Sequence, residues 1–117
     1  MGKFPKHNKN ELPLLDEDSY STWKQRITTY IQSTDYSLWT IIEHGYNVPQ
    51  TVPTSANELK EYQQNIKAIG MLHAAFDEKV FDKVKDLKPA KEIWDKLEQW
   101  YEGTSKSKEL KLESLTE

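Results

Sequence analysis

The stretch Ala90-Lys91-Glu92-Ile93-Trp94-Asp95-Lys96-Leu97-Glu98-Gln99-Trp100-Tyr101-Glu102-Gly103-Thr104-Ser105 contains a whole helix with both of its ends. Ala90, Ile93, Trp94, Leu97, Trp100 and Tyr101 recur at spacings of three and four residues, which winds them into one wide apolar stripe. Pro89 suits the first helical turn, where an absent N–H is no loss. Glu92 and Lys96 are spaced to face each other on the wet side. Gly103 is placed to stop the helix in a left-handed cap.

Working outward, the same grammar repeats. A first helix is expected to open near Ser19–Thr22 and run to about Ser33, with Tyr20, Trp23, Ile27, Tyr30 and Ile31 on its buried face. Thr34-Asp35 breaks it and caps a short second helix carrying Leu38, Trp39, Ile41 and Ile42, stopped by Gly45. Residues 46–54 form a loop stiffened by Pro49 and Pro53. Ser55 and Glu58 make a capping box, and behind it Leu59, Tyr62, Ile66, Ile69, Leu72 or His73, and Phe76 keep a helical period. Asp77 caps a short fourth helix with Val80, Phe81 and Val84, and the Ala90 helix follows. A last helical segment from about Ser105, with Leu110, Leu112 and Leu115, reaches the end without a stop signal, which predicts a cut inside or just after a helix. The expectation is all-α: a compact bundle of about five to six helices over residues 19–117, entered by an extended or mobile arm over 1–18 in which Leu12, Leu14 and Leu15 alone offer something to bury.

Composition fits one domain of this kind. The 117 residues are 36% hydrophobic and include four Trp, six Tyr and three Phe, so an aromatic-heavy core is expected. There is no cysteine, which removes disulfides, thiol nucleophiles and Cys-based zinc sites from this sequence. No apolar run approaches the roughly 18 residues of a membrane span, and neither a secretory signal nor a myristoylation motif stands at Met1-Gly2-Lys3-Phe4-Pro5-Lys6. Charge is unevenly spread: Lys3, Lys6 and Lys9 give the first ten residues a local +3, whereas residues 11–104 hold ten basic and sixteen acidic side chains. An acidic body lacks the phosphate contacts that dominate nucleic-acid affinity.

Three blocks of the chain resemble the Gag polypeptide of copia-type LTR retrotransposons, in that family's order. They are Ser19-Tyr20-Ser21-Thr22-Trp23-Lys24 with Arg26, then Leu38-Trp39-Thr40-Ile41-Ile42-Glu43-His44-Gly45, then Ala90–Ser105 itself. The resemblance covers roughly residues 14–115 and is carried most by the Ala-Lys-Glu-Ile-Trp start and Tyr-Glu-Gly-Thr-Ser exit of the last block. It implies the N-terminal part of a capsid-like region, in a fold like a retroviral or retrotransposon capsid N-terminal domain and possessing no enzymatic activity or cofactor. Implied partners are copies of itself and other Gag regions, in cytoplasmic virus-like particles around the element RNA, with the nucleus as a second location. Such Gag chains often carry a Cys/His zinc knuckle; this sequence cannot, so RNA contact is implied only through regions beyond it, and no membrane is involved. Truncation before a C-terminal capsid domain is implied as well. The alternative is a domesticated Gag-derived host protein acting as a non-enzymatic adaptor for a peptide or helix.

Read for chemistry, the chain points away from catalysis. His7, His44 and His73 lack the spacing of a metal or base site, and no nucleophile elbow or phosphate-cradling loop occurs. Asp16-Glu17-Asp18 suits a helix N-terminus better than a calcium site. No catalytic, cofactor-binding or metal-binding residue is therefore expected. Core positions are Tyr20, Trp23 and Ile27; Leu38, Trp39 and Ile42; Leu59, Tyr62, Ile66 and Ile69; and Ile93, Trp94 and Leu97. Trp100 and Tyr101 cannot both point inward, so one of them is expected to meet a neighbouring subunit. With Lys24, Arg26, Lys60, Glu61 and the 46–54 loop, they make up the candidate assembly surface.

Overall fold

The computed structural model describes residues 12–16 and 18–103, and over these it is all-α: α1 Tyr20–Thr34, α2 Tyr36–His44, α3 Ala56–Ala74, α4 Glu78–Val84 and α5 Ala90–Tyr101. The arm before Leu12, with His7 and its lysines, and the helix expected from Ser105 lie outside the described residues.

Local chemistry fixes most of the helix ends. Asp35 Oδ1 accepts from the Ser37 backbone N–H at 3.0 Å and from its hydroxyl at 2.6 Å, opening α2 directly behind α1. These bonds hold the Asp35 carboxyl below the usual carboxylate range. Ser55 Oγ accepts from Glu58 N–H at 3.3 Å at the start of α3, and Asp77 Oδ1 accepts from Val80 N–H at 2.9 Å at the start of α4. Gly45 ends α2 at φ +92°, where any Cβ would be strained and would lie 3.1 Å from the Lys91 side chain. The turn is what needs the glycine, since the Lys91 stem can shift by the few tenths of an ångström a Cβ would ask.

One core joins all five helices. Trp23 of α1 is 2% exposed and its ring centroid lies 5.9 Å from that of Trp94 of α5. Trp39 of α2 meets Trp94 edge to face at 5.2 Å, and Phe76, after α3, tilts against Trp23 at 5.8 Å. Ile27, Ile31, Ile42, Leu72, Val80, Val84, Ile93 and Leu97 fill the space between. Each such aliphatic side chain contributes about 1.5–3 kcal/mol on burial. Trp39 and Ile69 are half-buried and pack against it, whereas Leu59 and Tyr62, also expected in the core, are half-buried outside that cluster.

Residues 12–16 are extended and tied down. Leu15 is fully buried, donates its N–H to Ala75 C=O at 2.7 Å and accepts from Asp77 N–H at 3.2 Å, a one-residue parallel bridge beside Phe76. Trp23 Nε1 donates to Pro13 C=O at 3.1 Å. Leu12 packs on the core from the edge, while Leu14 points to solvent.

Three sequence expectations need correcting. Ile66 is not core: it is 50% exposed, and the buried line of α3 runs through Asn65, Ala68 and Leu72. Asn65, only 3% exposed, turns inward because both halves of its amide are used. Its Oδ1 accepts from Ala90 N–H at 3.0 Å and its Nδ2 donates to Lys88 C=O at 3.1 Å. It thus caps α5 from a different helix, with Pro89 as the residue before the first turn. Gly103 is not a left-handed cap: among the described residues only Gly45 has positive φ, and α5 ends at Glu102 in right-handed geometry. Finally, the four-residue ion pair closed on α5 is Lys91–Asp95 at 2.7 Å, not Glu92–Lys96.

Candidate assembly surface

Lys24, expected on the assembly surface, is folded into a cluster within the molecule. Its position on α1 lies one turn beyond Tyr20, against the C-terminal half of α5. Nζ is 3.1 Å from Glu98 Oε2 and 2.5 Å from Glu102 Oε2, with the side chain less than one-third exposed. Tyr20 donates its hydroxyl to the same Glu102 oxygen at 2.7 Å. Burial works against the Lys24 ammonium, but the hydrogen bonds to Glu102 and Glu98 outweigh it and raise its pKa. Burial, followed by the Glu102 acceptor, raises the Tyr20 hydroxyl far out of the physiological range. The cluster clasps the last turn of α5 to the first turn of α1. It is an internal tie and not a free contact point.

Of the adjacent aromatics, Tyr101 is the inward one. It is half-buried and stacks on Tyr20 with centroids 4.7 Å apart and planes 11° from parallel. Trp100 faces out, 38% exposed. Two ammonium groups stand over its ring: Lys83 Nζ of α4 at 5.1 Å from the centroid and Lys96 Nζ of α5 at 6.0 Å. Sequence reading does not single out Lys83, which reaches Trp100 from another helix, and Lys96, expected to face Glu92, lies over the Trp100 ring instead.

Arg26 on α1 and Lys60 and Glu61 on α3 are exposed, as a solvated face would be. The 46–54 loop is exposed except for half-buried Tyr46 and Pro53, and it displays Val48 and Val52. Its first residues join Gly45, Pro89 and Lys91 around a shallow open groove between the end of α2 and the start of α5. The structure therefore does not gather the expected contact residues into one patch. Lys24 and Tyr101 go to the fold, and the remainder stay on separate exposed faces.

Two of the three histidines, His44 and His73, lie among the described residues. His44 is exposed at the end of α2, with Nε2 3.7 Å from Glu43. His73 lies half-buried near the end of α3, edge to face with Phe81 at 4.9 Å, and its buried Nε2 has no hydrogen-bond partner among the described residues. Burial, then the nearby Lys88 charge, holds its pKa below the ordinary value, so the ring stays neutral near neutral pH. No helix among the described residues is long and apolar enough to cross a membrane.

Comparison with curated proteins and with solved structures returned no match. The profile described as gag-polypeptide of LTR copia-type matches residues 27–116, which excludes the Ser19–Arg26 block but takes in α1 from Ile27 and the whole of α2 to α5. A match over that much of the sequence establishes that the chain belongs to the copia-type LTR gag-polypeptide family.

Proposed function

We propose that this chain is a structural building block, the N-terminal helical domain of a copia-type Gag capsid, which self-associates into virus-like particles enclosing the element RNA. Membership in the Gag family carries the reading. The physical support is a single core that binds five helices and the Leu12–Asp16 strap into one body. A rigid body of that kind can repeat the same small contact many times. Weak symmetric interfaces then sum through multivalency into a closed shell, while each remains reversible during assembly.

On this reading the domain's role is structural and not catalytic, and it works in the cytoplasm. RNA is held by other Gag regions, because residues 11–104 carry a net negative charge. Sedimentation velocity over a wide concentration range, joined to electron microscopy of the same samples, tests this. Concentration-dependent association leading to regular particles is the expected result. A strictly monomeric chain at its highest soluble concentration, without particles, overturns it.

A further inference from the structure

Among the described residues, the outer ridge of α5 brings together an exposed indole, cations and an acid outside any salt bridge, in a self-complementary order. Glu92, Lys96 and Trp100 follow one another at four-residue spacing, so they form a single ridge that drifts slowly around the helix. Trp100 is 38% exposed although Ile93 and Leu97, its neighbours across the turn, are fully or almost fully buried. Lys83 and Lys96 hold their ammonium groups 5.1 and 6.0 Å from its centroid. Neither lysine forms a salt bridge among the described residues, and neither does Glu92. The acid stands at one end of the ridge and the cations with the indole at the other.

Such an order reads the same way when reversed. A second copy laid antiparallel across α5 sets its cationic, aromatic end over Glu92 of the first, and the two-fold axis repeats the contact on the other side. We propose that the Glu92–Lys96–Trp100 ridge, with Lys83 of α4, is a two-fold interface between copies of this chain; the inference rests on the self-association reading given above. Trp100 supplies the apolar anchor that small interfaces concentrate their affinity on. The charges supply register: the parallel alternative would place like against like. A single-stranded nucleic acid also uses lysines beside aromatics, but it needs a continuous basic track. Here Glu92, on the same ridge, interrupts that track.

The test uses the whole chain and two charge reversals, Glu92→Lys and the pair Lys83→Glu with Lys96→Glu, each checked for unchanged helicity. In sedimentation equilibrium each reversed chain should self-associate about tenfold or more weakly than the parent, because every contact becomes like against like. An equal mixture of the two should regain parental affinity as a heterodimer, and Trp100→Ala should weaken association without rescue by either partner. If the parent associates and both reversals match it, the ridge is not the interface, while the self-association reading stands. A parent that never associates removes that reading and this inference with it. Anisotropy of a labelled uridine oligonucleotide gives the remaining arm. Tight binding by the parent that is lost in the double lysine variant, with self-association untouched in both reversals, assigns the ridge to RNA and overturns the proposal.

Discussion

Trp94 and Trp100 lie less than two turns apart on α5, yet they occupy different environments. Trp94 is wedged between Trp23 and Trp39, and its loss would open the centre of the molecule. Trp100 has bulk water on one side and two lysine ammonium groups over its ring. The same side chain is therefore cement at one position and an exposed handle at the other. Periodicity alone places both in one stripe; what separates them is which helices approach. α1 and α2 close over the first, whereas the Lys83 side chain reaches the second from α4 and leaves it 38% exposed.

That contrast can be broken by mutation. Trp94→Ala should destabilise the domain by about 3–5 kcal/mol, as large cavities in cores do, and a denaturant curve superimposable on the parent's would refute the core role. Asn65→Ala comes next, at about 2–3 kcal/mol, because it orphans the Ala90 N–H and the Lys88 carbonyl while removing no large side chain. A loss under about 0.5 kcal/mol would mean that water replaces the amide. Lys24→Met should cost about 1 kcal/mol, since the pair is partly exposed and screened. High salt should shrink this difference, and salt independence would count against the ionic clasp.

A smaller effect is expected from pH. His73 is neutral in the fold, with its pKa depressed by burial and then by Lys88. As pH falls through its ordinary value of 6.5, the unfolded chain takes up a proton that the folded chain refuses. Stability is thus full above that value and declines below it, with a further decline when Asp35, whose pKa is lowered in the fold, is finally protonated. Urea melts in the mildly acidic range should show the first decline in the parent and a flatter profile in His73→Leu. A parent that gains stability on acidification would exclude this account. Trp100→Ala should cost about 1 kcal/mol in the monomer, through its two lysine contacts and partial burial, well short of Trp94→Ala. A loss approaching that of Trp94 would show the two tryptophans to be alike after all.

How much was legible in the sequence follows the range of the interactions. Asp35, Gly45, Ser55 and Asp77 are read correctly as punctuation because a cap is settled within a few residues of itself. The register of α3 is misread at Ile66 for the opposite reason. Burying Asn65 is favourable only once Lys88 and Ala90 arrive from a distant segment to satisfy it, and periodicity counts an asparagine as outward. Lys24 fails in the same way, since Glu98 and Glu102 are remote in sequence. The adjacency of Trp100 and Tyr101 announces that one must face out, but the choice is made by Tyr20, whose ring offers a stacking partner only to Tyr101. Family membership was readable from the Leu38–Gly45 and Ala90–Ser105 blocks, which the family match spans, whereas contacts between copies would leave no periodic trace in one chain.

The Leu12–Asp16 strap has a mechanical consequence. Its anchors are two backbone hydrogen bonds from Leu15 to the α3–α4 corner and one from the Trp23 indole to Pro13. Tension applied to the chain from the N-terminal side meets these bonds before it meets the first turn of α1. The load is shared between the corner at Ala75–Asp77 and the buried Trp23 ring, not concentrated on an unprotected helix end. A pull on residues ahead of Leu12 is thereby delivered to the buried core of the bundle, through Leu15 and Trp23.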